Sequence, residues 1–296
     1  MLILPENLPN IERLRERGVE VATRVPRGVR PVRLALLNLM PMKEDAELDY
    51  YRLLDCPDCC VEFVLVKMSN LSYVHTSQGY MDRFYIDIEE LRDEYVDGLI
   101  ITGAAVEKLP FEEIRYWSQL MDTYRWAQLH AGVTLHICWA SLAFLYGCFG
   151  ISKFLRERKL FGIFSQRVCR TSERLFSGIG SRFDIPFSCH AGIVSPELER
   201  CSELVTLAGS EVTGPSVIRD RASRNVMVVG HLEYGKNRLD YEYHRDLSLG
   251  RPIDIPLNYY ENDDPDGAIL DTWQDGARRF FRNWMNHYVK PRISGE

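Results

Sequence analysis

Apolar residues gather in short runs along the first half of the chain, and the stretches between them change period. Pro31–Met40 is nearly continuous in aliphatic residues, as a strand covered on both faces requires. Glu44–Leu54 follows with Leu48, Tyr51 and Leu54 at helical spacing. Val61–Val66 reads as a second strand, and Asp97–Gly103, ending in small residues, as a third. Between Glu112 and His130, Ile114, Trp117, Leu120, Met121 and Tyr124 recur at intervals of three and four and predict an amphipathic helix. Val133–Ile137 is a fourth strand, and Trp139–Phe149 a helix begun immediately after it.

Strands alternating with helices specify an α/β fold: a mostly parallel sheet with helices on both faces. Ligands of such sheets sit at the carboxyl ends of the strands, so functional residues are expected just after Met40, Thr102 and Ile137. Further on, Ser216–Arg219 and Asn225–Gly230 read as two strands joined by the polar turn 220–224. Arg238–Leu247 reads as a helix, Asn258–Gly267 as a polar loop, and Trp273–Val289 as a closing amphipathic helix. With no internal repeat and no linker, the simplest organisation is a single domain over 1–296, of which about 1–30 is an N-terminal extension.

Composition narrows the function classes. Hydrophobic residues make up 46% and charged residues 26% of 296, close to an average globular chain, which excludes a disordered one. The 36 Lys and Arg against 42 Asp and Glu give a net charge of −6, so no nucleic-acid partner is expected. The opening residues stop being apolar after Leu4 and lack a basic segment, unlike a secretory signal. Ala131–Ser152 carries no charge over 22 residues, long enough to span a bilayer. A buried strand running into a buried helix accounts for it better, so no membrane partner is expected either. The eight cysteines then read as reduced thiols of a cytoplasmic protein. Cys56-Pro57-Asp58-Cys59 lacks the second ligand pair that zinc needs, so no metal is expected.

Cys138 stands where the fourth strand stops and a helix begins. A thiol at a helix N-terminus meets unpaired N–H groups and the positive end of the dipole, both of which favour thiolate. The Trp139 N–H, with a donor from the loop at Ala104 and Ala105, would form an oxyanion hole. The competing reading is a buried structural cysteine. Gly230-His231-Leu232-Glu233 follows the apolar strand 226–229. Residues i and i+2 of an extended segment point the same way, so Glu233 can orient His231 toward a thiol. Alone, that pair is an ordinary loop histidine; together with Cys138 it makes a candidate Cys-His-Glu triad.

The chain resembles the homoserine O-acyltransferases of methionine biosynthesis, which transfer succinyl or acetyl groups and have the class I glutamine amidotransferase-like, flavodoxin-like fold. The matching stretches are Leu37–Pro41, Thr102–Ala104, Cys138–Ala140, Glu157–Leu160, Gly230–Tyr234, His244–Asp246, Asn258–Tyr260 and Asn262–Pro265. They follow the family's order over nearly the whole chain. The resemblance implies Cys138 as the acylated nucleophile, His231 as general base and Glu233 as its orienting partner. It implies Lys159, Ser188 and Arg245 as substrate-binding residues, Lys43 as a donor-binding one, and Glu107 as the residue that selects the acyl donor. A small residue at Glu107 would leave room for a succinyl carboxylate, whereas glutamate fills the space and repels it, favouring acetyl-CoA. Small-molecule substrates, no cofactor beyond the acyl-CoA co-substrate, and a homodimer follow from the same resemblance.

Without it, Lys159 belongs to a basic run (Lys153, Arg156, Arg158, Lys159) that reads as a solvated helix face, and Lys43 as a first-turn surface lysine. The family's Thr-Gly-Ala-Pro ends here in Ala105, and its His-Pro-Glu-Tyr carries Leu232. Its Pro-His-Ser-Arg becomes Pro186-Phe187-Ser188-Cys189, which opens serine as an alternative acceptor. Succinyl-CoA remains the alternative donor, a cysteine hydrolase or glutamine amidotransferase the alternative enzyme, and a catalytically silent binding protein the alternative class.

Overall fold

The computed structural model describes residues 1–290 except Pro57, Asn70 and Ser72. Its strands are β1 (Leu2–Ile3), β2 (Val21–Ala22), β3 (Val32–Leu37), β4 (Val61–Lys67), β5 (Ile86–Asp87), β6 (Val96–Ile101) and β7 (Ala131–Ile137), then β8 (Lys153–Val168), β9 (Arg182–Ile193), β10 (Leu204–Ser210), β11 (Gly214–Asp220) and β12 (Asn225–Val228). Its helices are α1 (Asn10–Arg15), α2 (Lys43–Leu54), α3 (Gln78–Phe84), α4 (Trp117–His130), α5 (Trp139–Phe149), α6 (Ser195–Arg200), α7 (Arg238–Ser248) and α8 (Gln274–Trp284), the last continued by a π-helical turn, Met285–Val289.

All twelve strands join one sheet, in the order β2-β1-β4-β3-β6-β7-β12-β11-β10-β8-β9, with β5 beside β4. From β2 to β12 every pairing is parallel, and from β12 to β9 every pairing is antiparallel. The chain lays β4 on one side of β3 and then crosses to place β6 on the other. The strand order therefore reverses between β3 and β6, and the loops leaving those two strands open the crevice in which ligands of such sheets bind.

The parallel core explains the continuous apolar runs. Every residue of β6 and β7 is buried, as are Trp139–Leu145 of α5, so the charge-free segment is a strand and helix inside the protein. Among the described residues no helix is long and apolar enough to cross a membrane. Helix α8 closes over the sheet at Gly98, where an added β-carbon would lie 2.7 Å from Leu34 and 3.1 Å from Trp284.

Three expectations change. The basic run Lys153–Lys159 is the start of β8, not a helix; its residues are partly or fully exposed and none is buried, so no apolar periodicity marks it. Helix α4 begins at Trp117, because Phe111–Glu113 form a separate 3-10 turn. The N-terminal stretch contributes α1 and two strands too short to leave a pattern, β1 pairing with β2 and β4.

Candidate active site

Cys138 occupies the N-cap of α5 with φ +50° and ψ −115°, a conformation that costs a non-glycine residue about 1–3 kcal/mol. Its surroundings hold that strain in place. The Cys138 N–H donates to the Val228 carbonyl at 2.7 Å. The Ser141 hydroxyl donates to the carbonyls of His136 (2.8 Å) and Val228 (3.0 Å), tying the elbow to β7 and β12 together. Trp139, large for such a turn, turns its buried ring toward Phe111 and Tyr116, each 6.0 Å away. As first-turn residues of α5, Trp139 and Ala140 carry N–H groups with no intrahelical acceptor.

His231 follows β12, its N–H donating to the Pro186 carbonyl at 2.8 Å. Its Nδ1 lies 2.6 Å from Glu233 Oε1, both side chains being only 4% exposed. The Cys138 sulfur is the other group close enough to act on the ring's charge. Burial alone favours a neutral ring. The sulfur and the Glu233 carboxylate outweigh it and hold the imidazole protonated well above its ordinary range. The resting ring is therefore an imidazolium beside the Cys138 sulfur. The Tyr234 ring stacks on the imidazole at 4.1 Å, and the Glu233 carbonyl accepts from Arg52 at 2.5 Å.

Two glycines permit this closeness. A β-carbon on Gly103 would lie 3.2 Å from His231 Cε1, 3.3 Å from Cys138 Cβ and 3.6 Å from Met40 Sδ. One on Gly230 would lie 2.4 Å from Ile185 and 2.7 Å from the Pro186 carbonyl. The loop after β6 and the strand β9 can approach the triad only because both positions lack a side chain.

A cavity of about 560 Å³ opens above the sulfur, a size suited to a small-molecule site. Cys138, His231, Ala104, Ala105, Glu107, Lys159, Ser188 and Arg245 all line it, so eight residues singled out from the sequence meet here. Glu233 stands behind His231, and neither it nor Trp139 lines the cavity. At one end Glu242 of α7 accepts from Lys159 (3.3 Å), from Tyr234 (2.8 Å) and from the Ser188 hydroxyl. Burial opposes its charge, but Lys159 and the two hydroxyls hold the carboxyl below its usual range. Arg245 engages Asp246 through Nε and Nη2, both at 2.9 Å, which leaves Nη1 for a ligand. Glu107, Lys108 and His190 line the same cavity, and burial keeps His190 below its ordinary pKa.

Lys43 is not a surface lysine. It is 2% exposed, and its ammonium donates to the carbonyls of Asn38 (2.6 Å) and Met40 (2.9 Å). Burial pushes its pKa down to about 7, and it lies outside the catalytic cavity. Phe187 and Cys189 are also elsewhere. They alternate with Ser188 and His190 along β9, are 1% and 4% exposed, and do not line the cavity. Their departure from the family pattern therefore leaves the cavity wall untouched. Glu242 is the residue the sequence reading missed. On α7 it looks like any helix glutamate, and only its i+3 relation to Arg245 on one face carried a signal. Among the described residues no group of three His, Cys, Asp or Glu could hold a metal ion.

A family model described as "HTS: Homoserine O-succinyltransferase" matches residues 1–294. The homoserine O-acetyltransferase of Bacteroides fragilis is 39% identical over 291 residues, 97% of this chain and 95% of that protein. The homoserine O-acetyltransferase of Brevibacillus brevis is 38% identical over 289 residues, 97% and 94% of the two chains. In fold, the chain is similar to a glutamine amidotransferase from Thermotoga maritima (TM-score 0.56, 14% identity, covering 88% of this chain and 99% of that one). It is also similar to a glutamine amidotransferase from Methylobacillus flagellatus (TM-score 0.54, 11% identity, 87% and 95%).

Proposed function

The chain belongs to the homoserine O-succinyltransferase family, acyltransferases of methionine biosynthesis, and we propose that it moves an acetyl group from acetyl-CoA to the side-chain hydroxyl of L-homoserine. The reading rests on His231 standing between two partners, Glu233 at 2.6 Å from Nδ1 and the Cys138 sulfur, both of which raise the ring's pKa.

The Cys138 thiolate attacks the thioester carbonyl, and the N–H groups of Trp139 and of the Ala104–Ala105 loop stabilise the oxyanion. As the tetrahedral intermediate collapses, the bond to CoA breaks and the His231 imidazolium protonates the departing sulfur. Acylation removes the thiolate charge that had raised the His231 pKa, so the ring, now neutral, is a base. It takes the proton of the homoserine hydroxyl, whose oxygen attacks acetyl-Cys138. Release of O-acetylhomoserine restores the thiolate and the imidazolium, and the cycle closes with every proton accounted for. A thioester is already an activated donor, so the reading needs no metal or redox cofactor. Its partners are small molecules and, as the family resemblance implies, a second copy of the chain in the cytoplasm.

The charged end of the cavity suits a zwitterion. Glu242 would take the α-ammonium, and Arg245 and Lys159 the α-carboxylate, with Ser188 beside them. The family model and the curated relatives carry different acyl groups in their names. Glu107 supports acetyl, since a second carboxylate in this cavity would face it directly. Phe187 and Cys189, pointing into the core, give serine no particular support. The test is a matrix of acetyl-CoA and succinyl-CoA against homoserine and serine. The highest kcat/KM is expected for acetyl-CoA with homoserine, and a preference for either alternative overturns that half of the assignment.

A further inference from the structure

We propose that the pantetheine arm of the acyl-CoA donor lies in a second, mostly apolar cavity that adjoins the catalytic one along Met40–Pro41 and Ala104–Val106. The inference rests on the acyl-CoA reading above and adds the path by which the thioester reaches Cys138.

Location comes first. This cavity measures about 530 Å³ and shares Met40, Pro41, Ala104, Ala105 and Val106 with the catalytic cavity. The shared wall is the pair of loops leaving β3 and β6, where the strand order reverses. At its inner end the Met40 sulfur stands 3.6 Å from where a Gly103 β-carbon would be, and Cys138 Cβ stands 3.3 Å from that point. The seam shared by the two cavities thus runs up to the nucleophile.

Chemistry assigns the occupant. The other end of the catalytic cavity is charged, with Lys159, Glu242 and Arg245, as an amino acid requires. The second cavity is apolar along Leu39, Leu71, Val106, Ile114 and Tyr116, with Lys43, His75, Glu113 and Arg115 among its charged or polar members. Leu109 and Val74, two of its lining residues, are 45% and 89% exposed. A pantetheine arm is uncharged, with apolar carbons between two amides, and the two substrates of one reaction need two such unlike approaches to one sulfur. Lys43 fits this picture as a positioning residue. Its ammonium, 4.8 Å from the Tyr73 ring, is held by the carbonyls of Asn38 and Met40 and so fixes the wall.

The experiment compares acetyl-CoA with S-acetyl-N-acetylcysteamine, a thioester too short to fill the cavity, using the full chain. Leu71→Trp fills the cavity without touching the triad. It is expected to lower kcat/KM for acetyl-CoA by about tenfold or more, mainly through KM, while the short donor and the homoserine KM are unaffected. Equal losses with both donors, or no loss with either, overturn the proposal. Should Leu71→Trp fail to fold, Leu71→Cys replaces it. Free CoA is expected to shield the introduced thiol from iodoacetamide, and labelling that is the same with and without CoA overturns the proposal. A wild-type enzyme that neither thioester acetylates would instead refute the acyl-CoA reading beneath it.

Discussion

Replacing Glu233 with glutamine keeps the shape of the triad and removes one charge. The carboxylate lies 2.6 Å from His231 Nδ1 and is buried with it. It is one of two groups, with the Cys138 sulfur, that raise the imidazole pKa against the effect of burial. A hydrogen bond to a charged group contributes about 1.5–3 kcal/mol net, which corresponds to about 10- to 150-fold in rate. Glu233→Gln is therefore expected to slow acylation of Cys138 by that order. The sign of the pH effect follows from the same geometry. The competent resting form needs a protonated His231, and losing the carboxylate lowers the pH at which that proton leaves. The alkaline limb of the acylation rate should move toward lower pH. Single-turnover acetylation measured across pH, with the melting temperature as a check on folding, supplies the data. A variant with its alkaline limb in place and a near-normal rate would show that Glu233 does not set the charge of the ring.

Three further outcomes follow. Gly103→Ala puts a methyl group 3.2 Å from His231 and 3.3 Å from Cys138 Cβ, so the loop must shift by a few tenths of an ångström; kcat should fall by about tenfold with little loss of thermal stability. Cys189→Ser should leave the homoserine KM unchanged and lower only the melting temperature, because the side chain is 4% exposed and outside the cavity; a changed KM would return β9's inner face to the acceptor site. Buried Glu47, hydrogen-bonded by Tyr80, Tyr85 and Asn10, has its pKa raised by burial to about 7. The folded chain thus holds a proton that the unfolded chain releases, and this group's contribution to stability is lost as pH rises from 4.5 to about 7. Glu47→Gln should flatten that part of the stability–pH profile in chemical denaturation, and an unchanged slope would contradict it.

The parallel half of the sheet was legible because burial on both faces writes itself into sequence as unbroken aliphatic runs, from Val32–Leu37 to Ala131–Ile137. The antiparallel half was less so. The β8–β9 hairpin begins with Lys153–Lys159, none of it buried, and its pairing is irregular between Leu155 and Leu160. The triad could be read because Cys138 directly follows β7 while His231 and Glu233 lie in the turn just after β12, at strand ends where the fold must put chemistry. Glu242 could not, since what makes it functional is contact with Lys159 and Ser188, 83 and 54 positions away. Lys43 was misjudged for the opposite reason. Its sequence position is that of a solvent-facing first turn, and only the carbonyls of Asn38 and Met40 folding back over it turn an ammonium into an interior group. Phe187 and Cys189 drew attention as changed letters, whereas the two-residue period of β9 shows that they face away from the cavity.

The account stands on Cys138 carrying the acyl group, and intermediate capture tests this without any acceptor present. Mixing the enzyme with acetyl-CoA alone, quenching rapidly and mapping the peptides should give one acetyl group on Cys138, discharged when L-homoserine is added. Peptides free of acetyl, together with full turnover in Cys138→Ser, would contradict it.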